Sequence, residues 1–109
     1  MRHEDFVRLS QLFDYYGRLL TEKQQELFEL HFHYDLSLAE IADLQGVSRQ
    51  AVHDLLRRTS QQLEVYENAL QLLSKDLRRQ ELLDQLETSL KSQEGLSQLK
   101  QLLGQIRAI

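Results

Sequence analysis

The residues whose types and spacing could do chemistry gather between Ser37 and Arg58, and that chemistry is the gripping of another macromolecule. Arg49 and Gln50 carry the donors and acceptors that pair with base edges, and Arg57 and Arg58 are cations suited to phosphate contact. His53 falls between them, and Ser48 stands just ahead as a helix-capping residue type. The same residues also fit an ordinary solvated helix face, and both readings stay open at this level. Other candidates are weaker. Glu26 with Glu29, and Asp84 with Glu87, lie at helical-neighbour spacing, but no glycine-rich loop or nucleophile motif accompanies them, so no enzyme is expected. His31 and His33 are two apart, which puts them on different faces of a helix, and the chain has no cysteine to supplement them. Neither a metal nor another cofactor is expected.

The elements that must position these residues read as helices. Proline is absent, and Leu, Gln, Glu and Arg recur throughout. Phe6, Leu9, Phe13, Tyr16 and Leu20 step by three and four along a first helix. Thr21 and Gln24 have the spacing of a capping box, in which a hydroxyl accepts the N3 amide and the N3 side chain reaches back. The helix they open carries Leu27, Phe28, Leu30, His31 and Tyr34 inward, and Asp35-Leu36 breaks it. Ser37 and Glu40 repeat the box ahead of Leu38, Ile41, Ala42 and Leu44, and Gly46 stands where a left-handed residue ends many helices.

From Ser48 no breaker occurs for more than twenty residues, so a long helix is expected to run to about 73. Along it Leu56, Thr59, Leu63, Tyr66, Leu70, Leu73 and Leu77 step like a coiled-coil seam. Leu82, Leu83, Leu86 and Leu90 continue the apolar pattern, Gly95 interrupts it, and Leu96, Leu99, Leu102, Leu103 and Ile106 form a last amphipathic element. The expected organisation is a helix-turn-helix domain over 1–73, with its motif at 37–58, and a helical extension over 74–109. The extension's leucines need a surface, either the long helix or a second copy, and a homodimer is the preferred assembly.

Within the motif, Ala42 supplies the small residue where two helices approach, Gly46 the turn, and Val47, Val52 and Leu55 the bracketing apolar positions. Bulk charge argues for restraint about nucleic acid. The net charge is -4, and residues 37–60 hold three basic and three acidic groups. A single copy would therefore neutralise few phosphates, each contributing about 0.9 to the log-log salt slope. The start, Met1 to Asp5, lacks the basic and apolar pattern of a signal peptide, and no apolar run approaches the roughly 20 residues of a membrane span, so a cytoplasmic location is expected.

Ser37-Leu38-Ala39-Glu40-Ile41-Ala42 followed by Gly46-Val47-Ser48-Arg49-Gln50-Ala51-Val52 resembles the helix-turn-helix of bacterial sigma factor region 4, and more closely the YlxM family. Leu12 to Tyr16, Leu19 to Gln24, Arg58-Thr59, Leu63-Glu64 and Tyr66-Glu67 extend the likeness over about the first 90 residues. The resemblance implies a regulatory protein of the signal recognition particle pathway that binds the particle's protein or RNA components, because the family's genes lie beside those for its GTPase and receptor. The alternative is a transcriptional regulator that places the Ser48 helix in the major groove of double-stranded DNA. Two residues depart from the sigma-like pattern: Gln45 precedes the turn glycine where an apolar residue is usual, and Asp54 occupies a position that often faces the groove.

Overall fold

The computed structural model describes residues 3–92 and 95–109; Met1 and Arg2, part of the N-terminal stretch read above, lie outside them. Every regular element among the described residues is helical, in two compact units, residues 1–70 and 71–109.

In the first unit, α1 (His3–Tyr16) buries Leu9, Phe13 and Tyr16 of the expected stripe and also Leu12, while Phe6 is half-buried and Leu20 is buried just beyond the helix. A 3₁₀ turn (Gly17–Leu19) follows, and a Cβ on Gly17 would stand 3.1 Å from the Phe13 ring, a contact few side chains could tolerate. Thr21 then opens α2 (Glu22–Phe32) with a complete capping box: its Oγ1 accepts the Gln24 amide at 3.2 Å, and Gln24 Oε1 accepts the Thr21 amide at 2.9 Å. Phe28 of α2 is fully buried, its ring centroid 4.5 Å from Phe13 and 4.1 Å from Phe32. Aromatic stacking thus joins α1 to α2.

The break after α2 occurs at Asp35, which takes φ 60 while the Leu36 amide donates back to Leu30 O at 3.0 Å. Aspartate is one of the few residues besides glycine that visits this left-handed region. Tyr34 was expected to face inward and instead is 70% exposed, because α2 ends at Phe32 and the chain turns before another helical step can carry the ring to the core. Ser37 and Glu40 close the second capping box, both bonds at 3.1 Å, and open α3 (Leu38–Gln45). The Glu40 carboxyl is held below its ordinary pKa chiefly by the hydrogen bond from the Ser37 amide and then by the Ser37 side chain.

The helix α4 (Arg49–Leu70) packs against α1, α2 and α3. Val52, Leu56, Thr59, Leu63 and Glu67 form its buried line. Thr59 satisfies its hydroxyl on Leu55 O at 2.8 Å, and the Tyr16 hydroxyl donates to Glu67 Oε1 at 2.6 Å, so the polar members of this line are hydrogen-bonded as burial demands. The helix stops at Leu70 rather than near 73, because Gln71 adopts φ 57. The expected seam does not run on through it: Leu70 and Leu77 are exposed, while Leu73 is buried but lies in the second unit.

In the second unit, α5 (Leu72–Ser92) packs against α6 (Leu96–Arg107), with Leu82 and Leu102 buried and Arg78 donating to Gln105 Oε1 at 3.1 Å. Leu77, Leu83, Leu90, Leu96 and Leu103 remain exposed. Two helices present too little facing surface to cover all these leucines.

A two-pronged ion pair ties α1 to α4, with Arg8 Nε and Nη2 at 2.7 and 2.8 Å from the two carboxylate oxygens of Glu64. Arg8 is the main cause that holds the Glu64 carboxyl below its usual pKa, so the contribution is present above the ordinary carboxylate range and lost as pH falls through the lowered value. Both side chains are more than a third exposed, so solvent screening limits the pair. Glu64→Gln is expected to cost less than about 1 kcal/mol near pH 7, and the variant and parent should converge in acid. Urea unfolding at both pH values measures this; a gap that widens in acid contradicts it.

Candidate nucleic-acid or partner interface

The interface is built from the turn outward. Gly46 takes φ 68, and its amide and that of Val47 both donate to Ala42 O, which ends α3 in the left-handed turn expected from the glycine. Gln45, the departure just ahead of it, accepts from Lys23 Nζ at 2.6 Å and donates to Glu26 Oε1 at 3.0 Å. Where an apolar side chain would pack, an amide therefore pins the end of α3 to α2 by hydrogen bonds. Ser48 Oγ accepts the Ala51 amide at 3.0 Å, capping α4. Leu27, Ile41, Ala42, Val52 and Leu56 form the buried cluster that holds α3 and α4 together, with Leu55 partly buried against it.

With Val52 turned inward, Ser48, Arg49, Gln50, His53, Arg57 and Arg58 are all exposed. They do not form one uniform basic edge. Gln50 Nε2 donates to Asp54 Oδ1 at 3.0 Å, and His53 Nδ1 stands 3.6 Å from the same oxygen. Asp54 therefore draws two neighbours toward itself, and Gln50 would have to leave that bond to pair bidentately with an adenine. The carboxylate would repel phosphate unless it accepted from a cytosine amino group. Beside this edge Leu44 and Val47 are 64% and 44% exposed, so the turn presents apolar surface next to the start of α4.

Residues 3–103 match the family described as "Putative helix-turn-helix protein, YlxM / p13 like". The chain is 48% identical over 105 residues to the UPF0122 protein of Symbiobacterium thermophilum, spanning 96% of this chain and 97% of that one. It is 43% identical over 103 residues to the UPF0122 protein of Shouchella clausii, spanning 94% of each. A shorter stretch of 72 residues is 53% identical to the UPF0122 protein of Desulforamulus reducens, 66% of this chain and 62% of that one. The chain belongs to the YlxM/p13-like helix-turn-helix family.

The match runs to residue 103, beyond the first 90 or so over which the likeness was read from sequence, so α5 and most of α6 belong to the YlxM/p13-like pattern. No helix among the described residues is long and apolar enough to cross a membrane, and none of their His, Asp and Glu side chains gather in a set of three suited to a metal ion.

The tertiary structure also brings two of the candidate residues to a groove whose other wall spacing does not reveal. His53 and Arg57 line a groove of about 590 Å³ in the first unit, together with Arg8, His31 and the apolar side chains of Leu9, Phe32, Leu38 and Leu56. His31 Nδ1 lies 2.8 Å from Leu36 O, an acceptor only, so that nitrogen carries the proton. The usable signal for the α4 side of the groove was the series 53, 56, 57, 60, 61 and 64, which lies along one helix face. The opposite wall comes from α1, α2 and α3, and no local pattern points to it.

Proposed function

We propose that this chain is a non-catalytic, cytoplasmic regulatory module of the signal recognition particle pathway, and that it binds a protein component of the particle through the helix-turn-helix turn and the start of α4. The observation that carries this reading is the exposed Leu44 and Val47 beside an edge on which Asp54 engages Gln50. Protein interfaces are centred on desolvated apolar contacts, with polar and charged groups at the rim, and this patch has that composition. Arg49, His53, Arg57 and Arg58 then supply rim contacts rather than a phosphate track. The link to the particle itself comes from the family's genomic setting. The second unit's exposed leucines on α5 and α6 suit a second copy, and the working form is a homodimer.

DNA is the second reading, favoured by the well-formed cap at Ser48 that starts α4 directly after the turn. The experiment is a parallel titration of the purified chain against the particle's GTPase, its RNA and mixed genomic DNA fragments at about physiological salt, where nonspecific DNA binding is typically as weak as 10⁻⁴–10⁻⁶ M. Selective binding to the GTPase is expected, and sedimentation of the same sample should give a dimer of the 12.9 kDa chain. Selective enrichment of a palindromic DNA site, with the particle components ignored, overturns the first reading in favour of the second.

A further inference from the structure

The groove beside α4 has properties that macromolecular docking at the turn does not use. Its volume, about 590 Å³, falls within the range of sites that hold small molecules. Most of its surface is apolar, from Leu9, Phe32 and Leu56, which are nearly buried, and Leu38, half-buried beside them, while His31, Ser60 and Gln61 add polar groups. The polar groups around it are unequal in their commitments. Arg8 is neutralised by its two bonds to Glu64, and Asp5 lies in the first turn of α1, where the helix dipole already favours a carboxylate. Arg57 makes no hydrogen bond or ion pair among the described residues, and His53 lies one helical turn before it on the same wall. With Arg8 and Glu64 paired, Arg57 is the guanidinium left on a groove that also carries the Asp5 carboxylate, and the apolar floor beside it is complementary to an apolar body whose single anionic group lies at Arg57.

We propose that this groove is a binding site for a small amphipathic anion, its ring or chain lying on Leu9, Phe32, Leu38 and Leu56 and its carboxylate, or a group of like charge, held by Arg57. The site shares His53 and Arg57 with the exposed edge of α4, so an occupant would alter what that edge offers a partner. Binding is read on the chain alone, and its outcome does not depend on which macromolecule α4 engages.

The probes are 1-anilinonaphthalene-8-sulfonate, an aromatic body with one sulfonate, and its uncharged counterpart N-phenyl-1-naphthylamine. Both are titrated into the full chain with fluorescence and amide-resolved NMR. The sulfonate is expected to bind the more tightly of the two and to shift Leu38, His53, Leu56 and Ser60. Arg57→Gln should weaken the sulfonate about tenfold or more, the fold-change a charge-assisted hydrogen bond supplies, while moving the uncharged probe less than about twofold. Arg18→Gln makes the same charge change at an exposed position away from the groove and controls for bulk electrostatics. Equal affinity for the two probes, shifts confined to the leucines of α5 and α6, or an unchanged sulfonate affinity in Arg57→Gln would each overturn the proposal.

Discussion

Phe28→Ala is expected to destabilise the first unit by about 3–5 kcal/mol, the range for truncating a buried aromatic. Phe28 is fully buried, and its ring stacks on Phe13 of α1 and on Phe32 of its own helix, so the substitution removes an inner ring of a four-ring stack that Phe6 completes. The neighbours cannot easily close the gap. Phe13 is packed against Gly17, and Phe32 also stacks on Phe6 with centroids 4.7 Å apart. Total stabilities of ordinary domains are only about 5–15 kcal/mol, so much of the unit's margin should disappear. Urea unfolding followed by far-ultraviolet circular dichroism measures the change. A loss below about 1 kcal/mol would mean that the stack is not what joins α1 to α2.

On the proposed reading, the double substitution Leu44→Ala and Val47→Ala is expected to weaken binding to the particle's GTPase about tenfold or more, as truncation of an interface centre does. Both side chains are substantially exposed, and alanine is a good helix former at position 44, so stability should shift by no more than about 0.5 kcal/mol. Arg49→Ala should have a small effect on the same complex, since an exposed rim cation contributes little. The DNA reading makes the opposite forecast. There the double variant binds nearly normally, because alkyl side chains form no hydrogen bond to phosphate or base edge, whereas Arg49→Ala relaxes sequence preference. Running both variants against both ligands therefore separates the two readings in one experiment.

What the sequence determined by itself was what short spacing encodes. Thr21 with Gln24, Ser37 with Glu40, the left-handed Gly46 and the Ser48 cap all depend on hydrogen bonds within about one helical turn, and residue type at three- or four-residue separation specifies them. The helical class and the helix-turn-helix family follow from that punctuation together with the apolar stripes. The Gln50–Asp54 bond was also available, as an amide and a carboxylate four apart on a helix.

Tertiary structure decided the rest. The end of α4 at Leu70 depends on a left-handed Gln71, a residue type that announces no such turn, and the exposure of Tyr34 follows from how the Asp35 turn redirects the chain. The groove arises only when α1 is brought against α4 by contacts such as Arg8 to Glu64 and Tyr16 to Glu67, which join residues more than fifty positions apart. Helical periodicity tells which face of each helix is apolar, but not how far two faces remain apart once packed. The distance left between α4 and its neighbours makes a cavity there, and it is set by the side chains of four helices together.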